Sequence, residues 1–189
     1  MVEEQALEIG DEAPHFELAD TAGELVELPE PGEAQATVVV WTCNHCPYAL
    51  AWHDRICEVA REYRDAGVEI IAINSNDADR YPADSPERMR ERVESEDWPM
   101  PYLHDADQAV ASEWGARVTP DLFVLDGDRR LSYRGAADGD HQDPSQRALW
   151  LRGAVESVLS GEAPDPAETE PVGCSIKWRP GGEPAGSAS

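Results

Sequence analysis

Residues 37–47 confine this chain to a narrow set of folds. The apolar run Thr37-Val38-Val39-Val40-Trp41 leads through Thr42 into Cys43-Asn44-His45-Cys46, and Pro47 follows at once. A strand buried on both faces reads as a continuous apolar run. Proline is tolerated in the first turn of a helix, where backbone N–H groups lack intrahelical partners. The stretch is therefore strand, dithiol, helix, with both sulfurs at the N-terminal edge of the helix. There the partial positive charge of the helix end favours thiolate over thiol and lowers a cysteine pKa from its free value of about 8.5. Two cysteines with two residues between them can cycle between dithiol and disulfide.

The flanking sequence supplies the rest of an α/β unit. Phe16-Glu17-Leu18 and Leu25-Val26-Glu27-Leu28, separated by Asp20-Thr21-Ala22-Gly23, predict a hairpin. Residues 36–42 predict a strand and 47–66 a helix, with Ala49, Trp52, Ile56, Val59, Ala60 and Tyr63 near one face and Gly67 as its stop. Residues 68–73 predict a second buried strand, parallel to the first. Ser85 caps a charged helix with Pro86 at its first position, running to about Ser95. A short strand at Tyr102-Leu103 and a helix from Asp107 to Trp114 follow. Leu122 to Leu125 and Leu131 to Tyr133 flank Asp126-Gly127-Asp128 as a second hairpin, and a last helix spans 145–159. Residues 1–160 thus read as one domain. Residues 161–189 read as a Pro/Glu-rich linker, the string Gly173-Cys174-Ser175-Ile176-Lys177-Trp178 and a disordered end.

Charge removes whole classes of partner. The chain carries 39 Asp and Glu against 15 Lys and Arg, Lys177 being the single lysine, for a net charge of -24. Such a surface repels phosphates, which excludes nucleic acid and anionic membranes as partners. Few lysines among many carboxylates suit a protein solvated for high salt, where screening relieves self-repulsion, so a halophilic setting is expected. Met1-Val2-Glu3-Glu4-Gln5 is not a secretory signal, and no apolar run approaches the roughly 20 residues of a membrane helix. A cytoplasmic location is expected, and in a reducing compartment four cysteines point to catalysis or metal before structural disulfides.

The order of these elements, with Val118-Thr119-Pro120 before the second hairpin, resembles the thioredoxin fold in its peroxiredoxin-like form. Four strings sharpen the resemblance: Cys43-Asn44-His45-Cys46-Pro47-Tyr48, Ala72-Ile73-Asn74-Ser75-Asn76-Asp77-Ala78, Tyr81-Pro82-Ala83-Asp84-Ser85 and Gly173-Cys174-Ser175-Ile176-Lys177-Trp178. Together they are similar to the peroxiredoxin-like redoxin family of AhpC/TSA-type proteins, over about residues 7–178. The resemblance implies a central mixed sheet flanked by helices, with an N-terminal β-hairpin. It also implies thiol-disulfide exchange on protein or small-molecule disulfides, recycled by a thioredoxin-type reductant, with no metal or organic cofactor. In that scheme Cys43 attacks, Cys46 resolves, and His45 tunes the thiolate as an imidazolium beside it. Pro120 then matches the fold's cis-proline, which leaves the backbone of Thr119 free to pair with a substrate peptide.

Other readings of the same cysteines stay in view. Cys43, Cys46, His53 and Cys57 have the order of a zinc knuckle, but on one helix Cys57 lies roughly 16 Å and His53 roughly 10 Å along the axis from Cys46. That leaves Cys57 a core or helix-flank residue and His53 a surface one. A thiol peroxidase would use Cys46 as peroxidatic cysteine, and peroxide would then be the substrate. Typical peroxiredoxins carry Thr-x-x-Cys, however, and Cys43 stands at the threonine position, with Arg117 the nearest arginine candidate. A redox sensor or binding module that switches shape without turnover would carry the same dithiol. Cys174 is either an isolated tail thiol or a candidate third redox thiol, since about 13 linker residues reach up to about 40 Å. Oligomeric state is not written in these patterns.

Overall fold

The computed structural model describes residues 6–184. Strands β1 (Glu17–Ala19) and β2 (Leu25–Glu27) form the N-terminal hairpin. The central sheet is built from β3 (Ala36–Trp41), β4 (Val68–Asn74), β5 (Tyr102–His104), β7 (Asp121–Asp126) and β8 (Leu131–Gly135), in the order β5-β4-β3-β7-β8. Strand β3 runs parallel to β4 and antiparallel to β7, so the sheet is mixed. Helix α1 (Pro47–Tyr63), with a 3-10 turn at Arg64–Ala66, makes the crossover from β3 to β4. Helices α2 (Pro86–Glu96), α3 (Ala109–Trp114) and α4 (Leu149–Leu159) complete the layers.

Alternation along β3 sends its residues to two cores. Ala36, Val38 and Val40 pack with Trp52, Ile56 and Val59 of α1 and with Leu151 and Val155 of α4. Val39 and Trp41 face the opposite core, with Phe16, Leu28, Trp114 and Phe123. Trp41 lies 5.3 Å from Trp114 and 5.2 Å from Phe123 between ring centroids, tilted contacts of the kind aromatic quadrupoles prefer. Burying side chains of this size contributes about 1.5–3 kcal/mol each, and the two cores clamp β3 on both faces. The C-terminal end of β3 is thereby a rigid mount for residues 43–46. No helix among the described residues is long and apolar enough to cross a membrane.

The segment after α4 departs from the expected loose linker. Its backbone runs beside β8, where Arg134 N–H donates to Ala167 O at 3.0 Å and Thr169 N–H to Arg134 O at 3.0 Å. Thr169 Oγ1 is 2.7 Å from the Tyr133 hydroxyl. Gly135, with φ +147°, makes this approach possible, because a Cβ there would come within 2.1 Å of Thr169 Oγ1. Strand β9 (Cys174–Ser175) then pairs antiparallel with β6 (Val118–Thr119). Beyond it Ile176 is buried, Asp77 N–H donates to Lys177 O at 2.8 Å, and Arg179 pairs with Asp79 at 3.3 Å. Composition alone predicted a solvated tail; specific backbone pairing and one buried isoleucine seat it on the body. The rest of the expected disordered end, residues 185–189, lies outside the described residues.

Candidate active site

Cys43 leaves the end of β3 and Cys46 is the N-cap of α1, with Pro47 in the first turn. Both side chains are buried, packed with Ala49, Tyr48 and Cys174. The two thiols pack together and shift each other's acidity in opposite directions. Pairing with Cys43 is the largest influence pulling Cys46 down to about 4, and the Cys174 thiol and the Ala49 backbone add to it against the cost of burial. The same pairing, then burial, pushes Cys43 far above the ordinary thiol range. Of the two, Cys46 is the thiol held below the ordinary range and Cys43 the one held above it. Cys46 is also the N-cap of α1, where the partial positive charge of the helix end favours a thiolate.

Opposite the dithiol lies the turn between β6 and β7, with a cis Thr119–Pro120 peptide bond, as the resemblance implied. Cys43 Sγ lies 3.3 Å from Thr119 Oγ1. Cys46 Sγ lies 3.1 Å from Thr119 O, an acceptor for its S–H when it is protonated. The backbone edge of Thr119 does not stand open: β9 occupies it, with Cys174 opposite Thr119 in register. Gly173 sits so close that a Cβ there would meet Thr119 O at 2.2 Å.

His45 is half-buried, its ring stacked on Tyr81 at 5.9 Å, with Nδ1 2.6 Å from Asp84 Oδ2. Asp84 is fully buried. Its Oδ1 also accepts from the Asn44 N–H at 2.7 Å and Asn74 Nδ2 at 3.1 Å, and its Oδ2 from Asn76 Nδ2 at 3.0 Å. A buried carboxylate that accepts from this many N–H groups fixes the loops that carry them. Arg92 of α2 braces the loop from outside, donating to Cys43 O at 3.0 Å, while Tyr102 donates to Asn44 Oδ1 at 2.8 Å. The reading of the chain gave no role to Asp84, Arg92 or Tyr102. Asp84 stands inside the string Tyr81-Pro82-Ala83-Asp84-Ser85, the one sequence signal that could have marked it.

Cys43, His45 and Asp84 bring possible ligand atoms within 4.8 Å of one another. Both Asp84 oxygens are already taken by N–H donors, so the trio suits a hydrogen-bonded brace for the loop better than an ion. The cysteine and histidine farther along α1 form a separate pair: His53 Nε2 lies 3.4 Å from Cys57 Sγ. His53 is buried rather than superficial, because Trp98 packs on it at 4.5 Å between ring centroids. Arg117, the peroxidase candidate, is exposed.

Comparison with known proteins places this geometry in context. The profile of the AhpC/TSA family matches residues 9–134. An uncharacterized conserved protein from Geobacillus kaustophilus is 36% identical, with a TM-score of 0.85 over 93% of this chain and 95% of that one. A thiol-disulfide oxidoreductase ResA of Bacillus thuringiensis is 25% identical over 130 residues, 68% of this chain and 69% of its own. A putative thiol:disulfide interchange protein DsbE from Chlorobium tepidum, 17% identical, shares the fold with a TM-score of 0.64 over 82% of this chain and 99% of that one.

Proposed function

The chain belongs to the AhpC/TSA family, and from that premise we propose that it is a thiol-disulfide oxidoreductase whose redox couple is Cys43 and Cys46. The observation that supports this reading is the geometry: two buried thiols packed together at the N-terminal edge of α1, with Cys46 Sγ 3.1 Å from Thr119 O in the turn opposite. The Cys46 thiolate attacks a disulfide sulfur of the substrate, forming a mixed disulfide and expelling one substrate thiolate. Cys43 then attacks the Cys46 sulfur, its proton passing to the second leaving thiolate, and a Cys43–Cys46 disulfide remains. A dithiol reductant of thioredoxin type restores the starting state. His45, beside Asp84, and Thr119 line this loop. We place the exchange in a reducing, cytoplasmic compartment of high salt, on the strength of the cysteine usage and the acidic surface.

The same charge distribution favours a second reading, thiol peroxidase, with Cys46 as the peroxidatic cysteine and Cys43 condensing with its sulfenic acid. One experiment separates the readings. Turnover of a disulfide substrate and of hydrogen peroxide is followed with a thioredoxin-type reductant in wild type, Cys43→Ser and Cys46→Ser. Disulfide turnover that vanishes in Cys46→Ser, with the substrate trapped on Cys46 in Cys43→Ser, supports the exchange reading. Peroxide turnover that outpaces disulfide turnover and survives Cys43→Ser decides for the peroxidase. Cycling without turnover on either substrate decides for a sensor.

A further inference from the structure

Cys46 has two thiol neighbours, and the exchange reading uses only one of them. Cys43 approaches it from the loop. Cys174 approaches from strand β9, its side chain packed against the cluster of Cys43, Cys46 and Ala49. Strand pairing fixes this placement, since Thr119 and Cys174 are partners in the β6–β9 ladder and Thr119 O lies 3.1 Å from Cys46 Sγ. Anchors on the C-terminal side hold the strand in register: Ile176 N–H donates to Arg117 O at 3.0 Å, Lys177 N–H to Asn76 Oδ1 at 2.8 Å, and Gln108 Nε2 to Lys177 O at 2.9 Å.

We propose that Cys174 is a second resolving thiol, which closes a Cys46–Cys174 disulfide across the β9 strand. This rests on the reading of Cys46 as the sulfur that takes up the substrate. In the mixed disulfide Cys46–S–S–R, the Cys174 sulfur attacks the Cys46 sulfur. The S–S bond to R breaks as the bond between Cys46 and Cys174 forms, and the proton of Cys174 leaves with R as the thiol RSH. The substrate is reduced by two electrons and the protein oxidised by two, so no further reactant is needed until a dithiol reductant recycles the enzyme. Burial and the hydrogen bond to Cys46 push the Cys174 thiol up to about 11 in the reduced protein, and Lys177 opposes this. The contribution from Cys46 disappears once its sulfur is bonded to R, so Cys174 becomes the better nucleophile when it is needed. Seating in a strand also gives it a high effective concentration against Cys46 that a free tail thiol would lack.

Oxidised glutathione is the probe. Cys43→Ser, Cys174→Ser and the double variant are each treated with it anaerobically, released glutathione is counted, and tryptic peptides are mapped without reduction. The proposal expects Cys43→Ser to release two equivalents and yield a peptide joining Cys46 to Cys174, while the double variant releases one and stays glutathionylated on Cys46. Cys174→Ser releases two equivalents through Cys43. A Cys43→Ser protein that stays glutathionylated like the double variant overturns the proposal and leaves the exchange reading standing. Failure of Cys46 to take up glutathione in any variant overturns both.

Discussion

Gly173→Ala tests how the tail is seated over the dithiol. A Cβ at this position would lie 2.2 Å from Thr119 O, 2.6 Å from Thr119 C and 3.2 Å from Pro120 N, all of them backbone atoms. Carbon and oxygen need roughly 3.4 Å, so the strand must move away from β6 by about 1 Å. Two routes are open. Local lifting of residues 173–174 strains or breaks the β6–β9 ladder and costs the about 1–3 kcal/mol of an overpacked site. Detachment of the whole tail also forfeits the burial of Ile176, about 1.5–3 kcal/mol, with three backbone hydrogen bonds of about 1 kcal/mol each, and is the dearer route. Local lifting is expected. It brings Cys46 to solvent, and at 1.4 kcal/mol per tenfold it raises the population of the open form about 5- to 140-fold. The assay is iodoacetamide alkylation of native protein at pH 7, resolved by site, beside urea denaturation. Gly153→Ala is the control: a Cβ there meets nothing within 4 Å, and in the middle of α4 the change should stabilise by about 0.5–1 kcal/mol. Equal Cys46 alkylation rates in Gly173→Ala and wild type, with the loss of stability present, would refute the claim that β9 covers Cys46.

Three further outcomes follow from the charges. Cys46, pulled down to about 4, should alkylate at a nearly constant rate from pH 6 to 8 and slow only as pH falls through about 4, whereas an ordinary thiol accelerates up to about 8.5; Cys43→Ala removes the donor and should move that limb to higher pH. Burial pushes His53 down to about 4 from an ordinary 6.5. The unfolded chain then binds a proton that the native one refuses, so stability falls as pH drops from 6.5 towards 4, by about 2–3 kcal/mol. His53→Gln should lose that part of the acid limb in urea titrations at pH 7 and 4.5. Asp138 is fully paired in the core: it accepts from Arg55 Nη1 at 2.8 Å, Trp52 Nε1 at 2.7 Å and Ala148 N–H at 2.9 Å. Asp138→Ala leaves the buried Arg55 uncompensated and should cost about 3–5 kcal/mol in denaturant, with an unchanged result counting against the buried pair.

What was legible in the sequence divides along a physical line. Apolar runs of strand length gave β3 and β4, the dipeptide punctuation at Asp126-Gly127 gave the β7–β8 hairpin, and the Cys-x-x-Cys-Pro spacing gave the dithiol at a helix end. Each of these signals is local. His53 and Arg55 were misread or missed because a single apolar stripe describes one covered face, whereas α1 is covered on more than one side. Trp98 packs over His53, and the carbonyls of Asp140 and His141, more than 80 residues downstream, accept from Arg55 at 3.0 and 2.7 Å. A charged residue reads as exposed until the chain that buries it is known.

The tail and Asp84 show the same limit at the site itself. In a chain with 39 acidic residues, no carboxylate stands out by composition, and what distinguishes Asp84 is that three N–H donors from residues 44, 74 and 76 converge on it, with the His45 ring beside them. Those donors belong to the dithiol loop and to the end of β4, so the turn after β4 and the loop after β3 are braced by one shared carboxylate. Residues 161–184 are polar and proline-rich, which ordinarily means too little apolar surface to offset the entropy of ordering. Here ordering depends on pairing with strands the segment cannot specify by itself: β8 through Thr169 and β6 through Cys174. Two glycines mark those meeting points, Gly135 under Thr169 and Gly173 over Thr119, where a Cβ would come within 2.1 and 2.2 Å. Glycine is the residue that lets two backbones meet that closely. The requirement lands at the edge facing Cys46, so the sequence constraint on Gly173 belongs to access to the dithiol as much as to the fold.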